Sequence, residues 1–367
     1  MSNITIREVA AQAGVSIKTV SRVINDVKTV KSRTRERVMR VIRKLDYHPS
    51  PSARGLGGSR SYLIGLVYDR SCAYYATSVL AGVLAACRAA HYQVVMQPCD
   101  YESPTLAADV TRNIRHSRAD GVILTPPLSD MKSVLAEFEA QDVAYVRIAP
   151  AEETAHGSAT DPARSVRTND RASCARMTGQ LAALGHTRIG FIIGNPDHAA
   201  VGDRFRGYRD GLRTSGVAYD RKLVAQGYNS YESGVECARR LLRVPPARRP
   251  TAIFASNDEM AAGVIAVAHG MGLAVPEDLS VAGFDDIPLA SQVWPALTTI
   301  RQPISAMAAQ AAALLLRQLR GESASETAHI VESELTFRQS TGPAPGREIA
   351  MRTRRRAARA GSATGTH

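Results

Sequence analysis

From Tyr62 onward, short apolar runs alternate with amphipathic stretches of helical length, and this rhythm constrains the fold more than any other feature of the sequence. The runs YLIGLVYD, YQVVMQP, DGVILTPP and VAYVRIAP come first, and after Asp161-Pro162 the pattern starts again with SVRTND, RIGFIIG, LVAQGY, TAIFAS and LSVAGFDD. Helices are expected between them, near 76–90, 171–184, 203–215 and 258–269. Such alternation is the signature of β-α-β units and parallel sheets. Two series in succession imply two doubly wound lobes, with a ligand held where the carboxyl ends of the strands face a common cleft. The late runs LTTIRQP and HIVESELTFRQST read as crossing strands that return the chain to each lobe, so each lobe is discontinuous in sequence.

The first 60 residues follow a different rule. Thr5-Ile6-Arg7-Glu8 matches a capping box, so a helix should begin at Ile6, with Val9 and Ala10 on its inner face. Gly14 supplies the left-handed backbone of a tight turn. Ser16 is a good cap for a second helix, in which Val20 packs inward and Ile17, Lys18, Ser21, Arg22 and Asn25 stay outside. Ala10, Gly14 and Val20 are spaced as in a helix-turn-helix, whose second helix enters the DNA major groove. A third amphipathic helix is expected from about Ser32 to Leu45. In the segment YHPSPSARGLGGSRS, Ser50 can cap a short helix with Pro51 at its first position, too short to persist without a partner or DNA.

Charge supports this division. Residues 1–60 hold 13 Lys and Arg against 4 Asp and Glu, and residues 341–367 hold 6 Arg against one Glu, so the formal net charge of +12 sits at the two ends. A basic head on a near-neutral body suggests a polyanion partner for the head alone. The five cysteines are scattered and odd in number, which argues against a disulfide framework or a zinc site. The sequence has neither a basic-then-apolar leader nor a run of eighteen apolar residues, so a cytoplasmic protein without a membrane segment is expected.

The stretches IREVAAQAGVSIKTVSRVIN, TRERV and LDYHPSPSARGL resemble the DNA-binding head and hinge of the LacI/GalR (lactose-repressor) family, and the resemblance runs to about residue 341. It implies that Ile17, Lys18 and Arg22 read bases and that Thr5, Ser16, Thr19, Ser21, Asn25 and Tyr47 touch the DNA backbone. Leu56 would be the hinge lever in the minor groove, with Ala53 beside it in the hinge contact. Lys31 stands where the family often has a capping Ser, so Ser32 is expected to take over the cap. The core implied is periplasmic-binding-protein-like. Arg204, in GDRFRGYRDGL, matches the family's effector-binding arginine, and Asp285, in FDD, its effector-binding aspartate.

Read from the residues themselves, Asn257 stands where a strand ends and can both donate and accept. Tyr74 or Tyr75 is placed to stack on a sugar face from the first lobe, and Tyr228 lies beside Asn229, where relatives often have an aromatic. Arg147, inside the strand-like AYVRIA, must be paired or near the cleft. Ala149 replaces an aspartate common in sugar- and purine-binding members.

The expected architecture is therefore an α-helical helix-turn-helix head (1–48), a hinge (49–61), a two-lobed α/β core (62–341) and a basic disordered tail (342–367). Lobe 1 is expected at 62–162 and 300–328, and lobe 2 at 163–299 and 329–341. The tail lacks leucine heptads, so a homodimer is expected on a palindromic double-stranded operator. The function read is a repressor of carbohydrate-utilisation genes that takes a small sugar in the cleft, the alternative being a purine or nucleoside. An enzyme is disfavoured because the chain lacks a nucleophile elbow, a P-loop and metal-spaced His or Cys clusters; no cofactor or metal is expected. An exported binding protein would not need the head.

Overall fold

The computed structural model describes residues 4–24, 29–47, 60–69, 73–151, 162–322 and 329–345. Residues 48–59, which hold most of the hinge with Ala53 and Leu56, lie outside the described residues, as do Asn25, Cys72 and the tail from residue 346.

The head is three helices: α1 (Ile6–Ala13), α2 (Ile17–Ile24) and α3 (Ser32–Lys44). Glu8 closes the start of α1 by accepting from the Thr5 amide at 2.6 Å and the Thr5 hydroxyl at 3.1 Å. Gly14 takes the left-handed conformation (φ 61°, ψ 43°), and the Ser16 hydroxyl accepts from the Thr19 amide at 3.2 Å. Val9, Ala10, Ala13, Val20, Val23 and Val38 close a small core. Ser32 does not take over the cap of α3. It is the first helical residue, Lys31 occupies the cap position, and no side chain there caps the helix.

After the head in the sequence come two six-stranded sheets. Lobe 1 contains β1 (Leu63–Asp69), β2 (Gln93–Cys99), β3 (Gly121–Leu124), β4 (Tyr145–Ile148), β5 (Ser165–Thr168) and, far along the chain, β11 (His329–Val331). Their order is β11-β5-β4-β3-β1-β2, and every pair is parallel. Helices α4 (Ala73–Ala89) and α12 (Ile304–Leu319) cover one face; α5 (Leu106–Ser117) and α6 (Lys132–Ala140) cover the other.

Lobe 2 contains β6 (Ile189–Ile193), β7 (Val224–Gln226), β8 (Ala252–Ala255), β9 (Ser280–Asp285), β10 (Thr298–Arg301) and β12 (Glu334–Thr336). The order is β12-β10-β9-β8-β6-β7, with only β12 antiparallel to its neighbour. Helices α7 (Asp170–Ala183) and α8 (Ala200–Thr214) pack on one face, and α9 (Tyr231–Leu242) and α10 (Asp258–Gly270) on the other. A short helix, α11 (Leu289–Gln292), lies between β9 and β10. Helices α7 and α8 approach so closely that a Cβ on Gly207 would sit 2.3 Å from the Arg171 carbonyl oxygen.

The lobe boundaries differ from those expected. β5 and β11 complete the sheet of lobe 1, whereas residues from 163 and from 329 were expected in lobe 2. All of β10 belongs to lobe 2, past the expected boundary at 299. The apolar pattern marks strands without naming the sheet they join, and these strands flank the crossings. The chain passes between lobes three times, at Asn169, at Gln302-Pro303 and at Glu332-Ser333. The Ser333 amide donates to Asn169 Oδ1 at 2.9 Å, tying the first crossing to the third. Residues 342–345 also depart from the expected disordered tail. The Gly342 carbonyl meets His186 Nε2 at 3.0 Å, and the Ala344 amide donates to the Leu184 carbonyl at 3.0 Å.

Cys87, Cys174 and Cys237 are buried free thiols, and Cys99 is half-buried with its thiol donating to the Tyr68 carbonyl at 3.3 Å. Among the described residues, no helix is long and apolar enough to cross a membrane.

Candidate functional site

Two surfaces carry candidate chemistry. On the head, the inner face of α2 is Val20 and Val23, and the helix turns Ile17, Lys18 and Arg22 outward; Ile17, an apolar side chain, is 46% exposed. Thr5 and Ser16 are exposed beside this face, with Thr19 and Ser21 half-buried at its border. Tyr47 is placed otherwise: it is 5% exposed and packs in the head core, so its first role is to hold the three helices together.

The second surface is the cleft. Strands of both sheets end there, as a doubly wound topology requires. Tyr68 and Asp69 arrive at the end of β1, Thr125 and Pro126 follow β3, and Ala149 follows β4. Lobe 2 contributes His198 and Arg204 around the start of α8, Tyr228 and Asn229 after β7, Asn257 after β8 and Asp285 at the end of β9. The cavity they line is about 100 Å³ and opens to solvent on one side.

Arg204 organises the floor. Its Nε donates to Asp170 Oδ2 at 2.9 Å, its Nη1 to the Ser256 carbonyl at 2.7 Å, and its Nη2 lies 3.7 Å from Asp285 Oδ1. The guanidinium carbon also sits 3.8 Å from the centre of the Phe284 ring. Burial works against the charge of Arg204, but Asp170 and Asp285 outweigh it and hold its pKa above that of an ordinary arginine. Burial pushes the Asp285 carboxyl up, Arg204 pulls it down, Asp170 and Glu259 push it up again, and it settles at about 7. Burial and then Arg204 lower the His198 imidazole to about 4, so it faces the cleft as a neutral ring. The site thus holds a fixed cation, a carboxyl balanced near neutrality and neutral donors and acceptors.

The structure brings Arg204, Tyr228, Asn257 and Asp285 into one cleft, as the sequence suggested. Asn257 is already engaged there: its Oδ1 caps α10 at the Met260 amide (3.0 Å) and its Nδ2 donates to the Asn229 carbonyl (2.8 Å). Two candidates fall away. Tyr74 is 43% exposed on α4 away from the lining, and Tyr75 lines the cleft in its place. Arg147 is buried in an ion pair with Asp130 at 2.9 Å, and its Nε donates to the Ser129 carbonyl, so it braces the β4 end and does not line the cleft.

Asp170 was missed, although it holds Arg204. The signal was its place just after the strand-like SVRT, at the start of a helix. Tyr68, Asp69 and His198 were missed because nothing local distinguishes them from loop residues. Nor did the sequence disclose the link between lobes at the cleft rim, where Asn195 Nδ2 donates to the Tyr101 hydroxyl at 2.9 Å.

A helix-turn-helix head joined to a two-lobed periplasmic-binding-protein-like core defines a DNA-binding regulator with a small-molecule cleft. A description of bacterial regulatory proteins of the lacI family matches residues 5–50, and one of periplasmic binding protein-like domains matches residues 178–341. The transcriptional regulator DegA of Bacillus subtilis is 33% identical over 342 residues, covering 92% of this chain and 98% of DegA. The lac repressor dimer, solved with operator and the anti-inducer ONPF, superposes with a TM-score of 0.76 at 26% identity, covering 93% of this chain and 100% of the repressor. The regulator CelR in complex with cellobiose gives a TM-score of 0.70 at 30% identity, covering 92% and 99%. This chain belongs to the LacI family of bacterial transcriptional regulators.

Proposed function

We propose that the chain is a cytoplasmic repressor of carbohydrate-utilisation genes that binds a palindromic operator as a homodimer and takes a small neutral sugar in its cleft. The observation that carries the sugar reading is the pairing of Asp285 with Arg204 on a floor flanked by Tyr68, Tyr75 and Tyr228. Carboxyl and guanidinium groups bond vicinal hydroxyls from two sides, and tyrosine rings cover the apolar face of a pyranose. The similar CelR structure is a cellobiose complex, which supports the same class. On the head, Ile17, Lys18 and Arg22 read bases, and Thr5, Ser16, Thr19 and Ser21 fix the register on phosphates.

A purine or nucleoside is the second reading, favoured by the same three tyrosine rings, which suit a planar base equally well. Thermal-shift measurements with a panel of sugars and purines decide between them. A sugar should stabilise the wild type, and Asp285→Ala should weaken it by at least about tenfold, the loss of one charge-assisted hydrogen bond. Stabilisation by a purine with none by any sugar would replace the reading. Whether the ligand induces or co-represses follows from which lobe arrangement it favours, and operator titrations with and without it reveal the sign.

A further inference from the structure

The outer side of lobe 2 carries a second arrangement of charge, separate from the cleft. Arg206, Arg209 and Arg213 are three and four residues apart on α8 and share one face, and Arg171 joins them from the first turn of α7. Between them runs an open groove of about 560 Å³, floored by Leu212 and Val217 and bordered by Tyr219.

Carboxylates answer only part of this charge. Asp210 accepts from Arg171 Nε at 2.7 Å and Arg213 Nη2 at 3.2 Å, and the Arg171 bond chiefly holds its carboxyl below the usual range. Asp203, behind the groove, accepts from Arg206 Nη2 at 2.6 Å, whereas Arg206 Nε is buried without a hydrogen-bond partner among the described residues. Arg209 holds no carboxylate among those residues; its guanidinium carbon lies 5.2 Å from the centre of the Tyr219 ring, and Tyr219 is 44% exposed. Among the described residues, Asp210 and Asp203 steady Arg171, Arg213 and Arg206, and Arg209 stands over Tyr219 without a carboxylate.

The geometry points to a second ligand site in this groove, for a small molecule bearing a phosphoryl group. Guanidinium forks match phosphate oxygens in pairs, and the exposed ring of Tyr219, with Leu212 and Val217 below it, offers an apolar seat for the rest of the molecule. The site rests on neither the sugar reading nor the operator reading.

Calorimetric titration of the full chain, without DNA and at physiological salt, tests it with two probes: inorganic pyrophosphate for a free phosphate and phenyl phosphate for an ester. Both are expected to bind saturably, and Arg209→Ala combined with Arg213→Ala should weaken both at least about tenfold, as losing a charge-assisted hydrogen bond does. Tyr219→Ala should weaken phenyl phosphate alone. Both arginines are exposed, so an unchanged urea midpoint will show that the double variant is folded. Absence of saturable binding would overturn the site. So would equal affinity in wild type and double variant, which would assign the anion to the basic head.

Discussion

The Arg204–Asp170 pair lends itself to a double-mutant cycle, because both side chains are nearly out of solvent, at 11% and 7% exposure. Arg204→Met keeps a flexible apolar side chain over Phe284 but leaves the Asp170 and Asp285 carboxylates facing each other without a cation. Removing one partner of a buried pair costs about 3 to 5 kcal/mol, because the other charge is stranded. Asp170→Asn should cost less, toward the lower end of that range. Asparagine retains an acceptor for the Thr168 hydroxyl, and Arg204 retains the Ser256 carbonyl and the Asp285 carboxylate. In the double variant neither charge is stranded by the other, so its cost should fall short of the sum by at least about 1 kcal/mol. Urea unfolding followed by far-ultraviolet circular dichroism gives the four corners of the cycle. Strict additivity, or a cost below about 1 kcal/mol for Arg204→Met, would refute the view that Asp170 holds the charge of the cleft arginine.

Asp285 gives a prediction in pH. Its folded pKa is raised from 3.8 to about 7, so the folded state keeps the proton longer; the resulting stability is complete below about 4 and lost as pH rises to about 7. Between about 4 and 6.5 His198 works the other way, so the test is the difference between wild type and Asp285→Asn, whose relative stability should grow across pH 4 to 7; a flat difference contradicts the buried carboxyl. Gly207→Ala should lose about 1 to 3 kcal/mol by forcing α7 and α8 apart, read as a lower urea midpoint, and should disturb effector binding through Arg204; an unchanged midpoint would show that the helices have slack. Arg22→Ala should remove about 1 to 3 kcal/mol of discrimination between operator and random DNA with the fold intact, and equal losses on both duplexes would count against base reading by Arg22.

The head was legible because its signals are local. A capping box, one left-handed glycine and one serine cap set the first two helices within fifteen residues, and each is realised in its own backbone. The strands of the core were legible as strands for the same reason. Sheet membership was not, since β5 joins lobe 1 by pairing with β4 across the expected lobe boundary, and β11 joins it by pairing with β5, more than 150 residues earlier in the chain. The cleft divides likewise. Arg204 and Asp285 stood in recognisable motifs, whereas Asp170 gained its meaning from the folded position of α8. Arg147 was correctly marked as needing a partner, but Asp130, seventeen residues away, could not be distinguished from any other acid in a loop. Tyr74 and Tyr75 differ by one step on a helix, about 100° of rotation, which decides between solvent and cleft.

The three crossings have a mechanical meaning. Short straps set side by side and laced together, as Asn169 and Ser333 are, resist sliding and stretching and yield to bending, so they form an axle with one soft rotation. The strap through Gln302 is joined to the cleft: its Nε2 donates to Asp285 Oδ1 at 3.0 Å, and its amide donates to the Asp285 carbonyl at 3.2 Å. A ligand that pulls on the Asp285 carboxyl therefore applies torque close to the axle, where a small displacement becomes a large swing at the far edge of each lobe. The quantity this core can transmit is an angle between two rigid bodies.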